Sequence, residues 1–181
     1  ELSLKNTEIE TNFNLEKIDI KANGKYSINK ENFLKFDFKS KFSKEDFFLN
    51  LIAKYDQLIQ LDFINYEKPK GLVATISVNL EKKKDEVVFN KLSYNEKDNR
   101  ILAKKIKINK NKLISFDKIS FRTQNNGELN NDFSIDLKDK ISISGAKFDA
   151  TNLPKFFHDK GNKNPLAKIS KELIIEIDKT I

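Results

Sequence analysis

The apolar positions of this chain recur with a period of two. Over residues 72–80, Leu72, Ala74, Ile76, Val78 and Leu80 share one face, while Thr75, Ser77 and Asn79 take the other. That alternation marks a β-strand buried on one side only. The same phase returns in Leu34-Phe36-Phe38, Phe47-Leu49-Leu51, Leu61-Phe63, Ile106-Ile108, Ile119-Phe121, Phe133-Ile135-Leu137 and Ile141-Ile143. About a dozen such runs follow one another at intervals of about eight to twelve residues, the rhythm of an all-β chain.

Short turn-forming segments separate the runs. Asn23-Gly24 is the clearest hairpin signal, because Asn-Gly suits the positive φ of a type I′ turn. Glu67 to Gly71, Asn95 to Asn99 and Asn125-Asn126-Gly127 are the next best. Runs joined in this way pair antiparallel as a meander, and without a βαβ rhythm a parallel sheet is not expected. The charges of Lys44 to Lys54 suit a helix, but Phe47, Leu49 and Leu51 keep the strand phase and predict a strand. One short helix is expected over 152–160, with Asn152 as N-cap, Pro154 in the first turn and Gly161 as the stop.

Composition narrows the chemistry. The chain has no cysteine, which excludes disulfides, thiolate metal sites and cysteine nucleophiles. No apolar run approaches the ~18 residues of a membrane-spanning helix. The formal charge is +7, yet Arg100 and Arg122 are the only arginines among 34 basic residues. The lysines are spread along the chain among Asp, Glu and Asn. Nucleic acid is therefore not the expected partner, since base and phosphate reading favours clustered arginine. The excess charge suits contact with anionic lipid surfaces.

Candidate catalytic residues are few. His158 is the only histidine and has neither the further ligands a metal needs nor a nucleophile to serve as base. Glu45-Asp46 and Asp85-Glu86 fall in lysine-rich turns, as solvated pairs rather than opposed acids. Gly145 closes the strand 141–144 and reads as a tight turn, with Asp149 bonding locally to the turn or helix entry. No enzyme activity, cofactor or metal is expected.

A dozen one-sided strands leave an apolar face that a ten-residue helix cannot cover. Each large side chain left in water forgoes about 1.5–3 kcal/mol of burial. The sheet must close as a sandwich or barrel core, fold over on itself, or hold something apolar from outside. An outer-membrane barrel is disfavoured by the dense lysine, which costs ~2–4 kcal/mol at a bilayer midplane.

The segments Asp117-Lys-Ile-Ser-Phe-Arg122 and Asn131-Asp-Phe-Ser-Ile-Asp136 precede Ile141-Ser-Ile-Ser-Gly-Ala-Lys-Phe-Asp-Ala-Thr-Asn-Leu153. This last run, through Gly145, Phe148, Asp149 and Leu153, resembles the strand–Gly-x-x-hydrophobic-Asp-x-x-x-Leu pattern of AsmA-like, YhdP-type envelope proteins. Lys70-Gly71 opening a long strand, and the strands from Leu92 to Leu113, resemble the repeating meander of the same family. The likeness covers residues 55–160 and, more loosely, the whole chain.

The resemblance implies an elongated, twisted antiparallel sheet curved into a taco-like groove. It also implies a location in the periplasm, with an inner-membrane anchor outside this chain. Residues 1–181 would be one segment of a longer repetitive groove, an expectation that the opening at Glu1 and the apolar run Leu173 to Ile181 suit. The groove would pass phospholipid acyl chains between inner- and outer-membrane components. Leu72, Ile76, Val78, Phe89, Ile106, Ile108, Phe121, Phe133, Ile135 and Ile143 would line it. A scaffolding domain of the envelope that closes on itself and binds no lipid is the alternative.

Overall fold

The computed structural model describes residues 1–28, 30–137, 139–152 and 172–181. Its strands are β1 (Leu2–Phe13), β2 (Lys17–Ile28), β3 (Leu34–Ser43), β4 (Asp46–Tyr55), β5 (Ile59–Leu61), β6 (Tyr66–Lys68) and β7 (Ala74–Lys83). They continue as β8 (Glu86–Glu96), β9 (Asn99–Asn109), β10 (Lys112–Asn125), β11 (Glu128–Leu137), β12 (Ile141–Phe148) and β13 (Leu173–Thr180). Eleven of them form one large, curved, unclosed sheet in the order β1-β2-β3-β4-β7-β8-β9-β10-β11-β12-β13. The chain is all-β, as the alternation predicts. Of Lys44 to Lys54, Lys44 and Glu45 form the turn after β3 and the rest is strand β4, so the apolar phase prevails over the helical charge pattern.

Neighbours in sequence pair antiparallel from β1 through β12, apart from the small β5–β6 pair, which interrupts the meander between β4 and β7. Several connections are two-residue turns. Lys110 and Asn111 (φ 46° and 60°) and Asn126 and Gly127 (φ 51° and 81°) join β9 to β10 and β10 to β11. Positive φ at both positions matches the right-handed twist of the flanking strands.

Four sequence expectations need correction. The last pair, β12–β13, is parallel; a parallel pair needs a crossover of a dozen or more residues, which residues 149–172 supply. Asn23-Gly24 is no hairpin turn but lies inside β2, where Gly24 is extended and level with Phe36 of β3. There it faces a bulge in β1 at Asn6 and Thr7, and a Cβ would stand 2.7 Å from the Thr7 Cα. Gly145 likewise does not end a strand but lies within β12, and a Cβ there would stand 2.7 Å from the Phe133 Cβ. Both glycines are required by close approach of a neighbouring strand, not by a turn. Finally, Leu61-Phe63 is only partly strand: β5 ends at Leu61 and a 3-10 turn runs over Asp62–Ile64. The helix expected over 152–160 lies outside the described residues except for Asn152, which stands in a turn.

Candidate apolar binding face

Cross-strand register gathers the apolar side chains into rows that run across the sheet, perpendicular to the strands. One row passes from Phe36 through Ala53, Ile76, Tyr94, Ile101, Phe121 and Phe133 to Gly145 and Ile177. The next contains Ala22, Phe38, Leu51, Val78, Leu92, Ala103, Ile119, Ile135, Ile143 and Ile175. A third holds Leu49, Leu80, Phe89 and Ile106, and a fourth holds Ile18, Phe42 and Phe47, then Val87 and Ile108. Bulges in β8 at Asn90, in β9 at Lys105 (φ 49°) and in β10 lie side by side and keep the apolar phase facing one way. Without them a one-residue slip would turn each following side chain to the other face.

Of the lining residues read from the sequence, Ile76, Val78, Phe89, Ile106, Ile108, Phe121, Phe133, Ile135 and Ile143 all stand on this face. Leu72 does not: it precedes β7, in the connection that follows β6, where its carbonyl accepts a bond from Lys68 Nζ at 2.8 Å.

Burial across the face is uneven. Phe121, Phe133, Phe116, Ala103 and Leu137 are buried. Toward β1 the same face is open, with Leu4, Ile9 and Phe13 exposed at 52, 63 and 80 %. At the other edge Leu173 and Ile175 are exposed as well.

The buried part lies beneath a strap that the sequence pattern did not reveal. The connection from β4 to β7 carries β5, the 3-10 turn and β6 back over the face. Ile64 and Tyr66 pack there with Phe121 and Phe133 as one buried cluster. Phe63 meets Phe121 edge-on at 5.7 Å between ring centres, and Tyr66 meets Tyr94 at 5.9 Å.

Amide side chains fasten the strap. Asn131 Nδ2 donates to the Ile64 carbonyl at 2.7 Å and Asn130 Nδ2 to the Asn65 carbonyl at 3.1 Å. Asn65 Nδ2 reaches Asp149 Oδ2 at 2.9 Å, and Asn131 Oδ1 accepts from the Asp149 amide at 2.9 Å. Burial pushes the Asp149 carboxyl up, but bonds from Thr151, Asn65 and Asn130 outweigh it and hold the group below the usual carboxylate range. Asp149 thus bonds locally, as its turn position suggests, and also ties β12 to the strap. Leu153, the last residue of the family-like motif, and His158 lie outside the described residues, while Phe148 packs on Phe133 at 4.9 Å.

Lys68, fully buried, donates to the carbonyls of Pro69 and Leu72 and lies 5.8 Å from the centre of the Tyr55 ring. Burial lowers its pKa, against the opposing charges of Asp56 and Glu96. These polar groups hold the strap; they do not converge on an open cavity. One signal for them was present in the sequence: Asn131 shares the phase of Phe133 and Ile135, a polar residue on the apolar face.

Comparison with protein-family models, curated proteins and solved structures finds no match for this chain. The AsmA-like reading therefore rests on the sequence resemblance alone.

Proposed function

We propose that the apolar face binds the acyl chains of phospholipid, laid along the cross-strand rows. The observation that supports this most is the continuity of those rows from β2 to β13, together with the exposure of the face toward β1. Eleven strands at about 4.8 Å spacing give a face roughly 48 Å across. Proteins rarely leave contiguous apolar surface beyond a few hundred Å² without a use for it. Acyl chains bury such a surface and ask for no hydrogen bonds, which gives little selectivity for the head group. In its full form the proposal is a periplasmic segment of an AsmA-like protein that passes phospholipid between inner and outer membranes.

A scaffolding sheet that binds no lipid is the second reading, favoured by the strap, which already buries part of the face. Phospholipid carrying a photoreactive acyl tail separates the two. The lipid reading expects cross-links at Ile18, Phe42 and Leu92, on the apolar face, and none at Lys39 or Lys91 opposite. Absent or evenly scattered cross-links support the scaffold.

A further inference from the structure

The polar face of the sheet is ordered as well. Lys5, Lys25 and Lys35 stand level across β1, β2 and β3. One step beyond the Phe36–Ala53 pair, Lys35 comes level with Lys54 of β4. The line continues through Thr75 and Asn95 to Arg100 and Arg122, which face each other, and then to Asp132 and Lys147. Both arginines of the chain therefore fall in one row.

Four residues along the strands, about 13 Å away, runs a second row. Lys21 and Lys39 are directly paired on β2 and β3, then Asn50 and Asn79 lead to Lys91, Lys104 and Lys118 on β8, β9 and β10. Between the rows lie five serines, Ser77, Ser93, Ser120, Ser134 and Ser144, with Ile52 and Leu102 among them. Acidic groups on this area are outnumbered by basic ones. Glu10 pairs with Lys21 at 3.4 Å, Asp132 pairs with Arg122, Asp136 lies beside Lys118, and Glu8, Asp37 and Glu176 lie between the rows.

Like charges directly opposed on neighbouring strands are destabilising, so this register has a cost within the fold that an anionic partner would relieve. We propose that the polar face docks on an anionic lipid surface, with both rows of lysine set against phospholipid head groups.

The side chains favour head groups over a nucleic acid. Arg122 is engaged by Asp132, Arg100 donates to Asn95 at 3.1 Å, and Lys5, Lys21, Lys54 and Lys147 have partners of their own, which leaves Lys25, Lys35, Lys39, Lys91, Lys104 and Lys118, point charges without a planar fork, as the cations open to head groups. Among the described residues no aromatic side chain stands between the rows, and Phe33, beside the first row, is already covered by Lys5 Nζ at 5.5 Å from its ring centre, so bases would find no run of stacking platforms. A wide array of evenly placed charges suits many mobile anions, and each lysine near such a surface strengthens attachment about fivefold. This docking does not depend on acyl chains lying on the opposite face.

Vesicle co-sedimentation tests it. The chain is expected to bind vesicles of phosphatidylcholine mixed with phosphatidylglycerol, but not phosphatidylcholine alone. Binding should be lost at about 1 M salt, where the Debye length is about 3 Å. Replacing Lys39, Lys91, Lys104 and Lys118 together by Gln should lower the partition coefficient by more than about tenfold. The melting temperature should hold or rise, because opposed charges are removed. The same replacement at Lys44, Lys82, Lys112 and Lys140, outside the rows, keeps net charge equal and should retain most of the binding. Equal binding to neutral vesicles overturns the proposal, as does equal loss in both variants or no loss in the first. Tighter capture of a DNA oligonucleotide than of anionic vesicles, lost in the first variant, also overturns it and assigns the rows to nucleic acid.

Discussion

The Tyr66 hydroxyl lies 2.6 Å from that of Tyr94, joining the strap to the strand it crosses. Tyr66 also donates to Glu96 Oε2 at 3.3 Å, and Asn99 donates to the same oxygen at 2.6 Å. A strap that crosses an apolar face must satisfy its polar groups on the way, because a buried group without a partner costs about 1–3 kcal/mol.

Alkaline pH should loosen this junction. Burial comes first among the causes that raise both phenols, and Tyr94 is pushed up to about 12 from its ordinary 10.0. The folded chain keeps the proton after the unfolded chain has lost it, so the stabilisation is complete below pH 10 and is lost as pH rises through about 12. Tyr94→Phe should flatten that decline, read from denaturant midpoints across the alkaline range. Asp149 works at the other end. Its lowered pKa stabilises the fold above the ordinary carboxylate value of 3.8 and the effect fades as pH falls below it, a dependence Asp149→Asn should reduce.

Asn131→Ala should release the strap. The side chain is fully buried and serves the Ile64 carbonyl, the Thr123 hydroxyl and the Asp149 amide. Its loss is expected to cost about 1–3 kcal/mol in denaturant unfolding. Amide exchange in β6 should quicken more than in β3. Asn125→Ala, at the exposed end of β10, should stay within about 0.5 kcal/mol of the parent.

Two glycines should separate two kinds of constraint. Gly127 has φ 81° and open space, with no atom within 4 Å of where a Cβ would stand, so Gly127→Ala carries only conformational strain, about 1 kcal/mol. At Gly145 a Cβ would collide with the Asp132 carbonyl and the Phe133 backbone. Gly145→Ala should cost more than about 2 kcal/mol. Thermal melts of the two variants side by side check the order.

The alternation of Ile76, Val78, Phe133 and Ile135 is enough to read strands and their shared face, because a period of two is local in the sequence. What crosses from strand to strand is not legible there. The strap shows no alternation of its own beyond Leu61-Phe63, and nothing in Ile64-Asn65-Tyr66 tells that the segment folds back over β8 to β11. Gly24 and Gly145 read as turns for a related reason: glycine beside a β-bulge, in its own strand or the next, and glycine in a turn look alike until the neighbouring strand is placed. The parallel β12–β13 pair depends on where residues 149–172 carry the chain, which local pattern does not encode.

The central claim, an apolar face that holds phospholipid, is tested most directly by mass spectrometry of lipid extracted from the gently purified chain. Leu92 and Phe42, exposed at 38 and 39 %, stand on that face where Asp can be introduced without filling a core. The account predicts phospholipid in fixed ratio to protein, lost in the Leu92→Asp, Phe42→Asp double variant while its strand spectrum and melting persist. A folded parent chain that carries no phospholipid, or a double variant that carries as much as the parent, would contradict it.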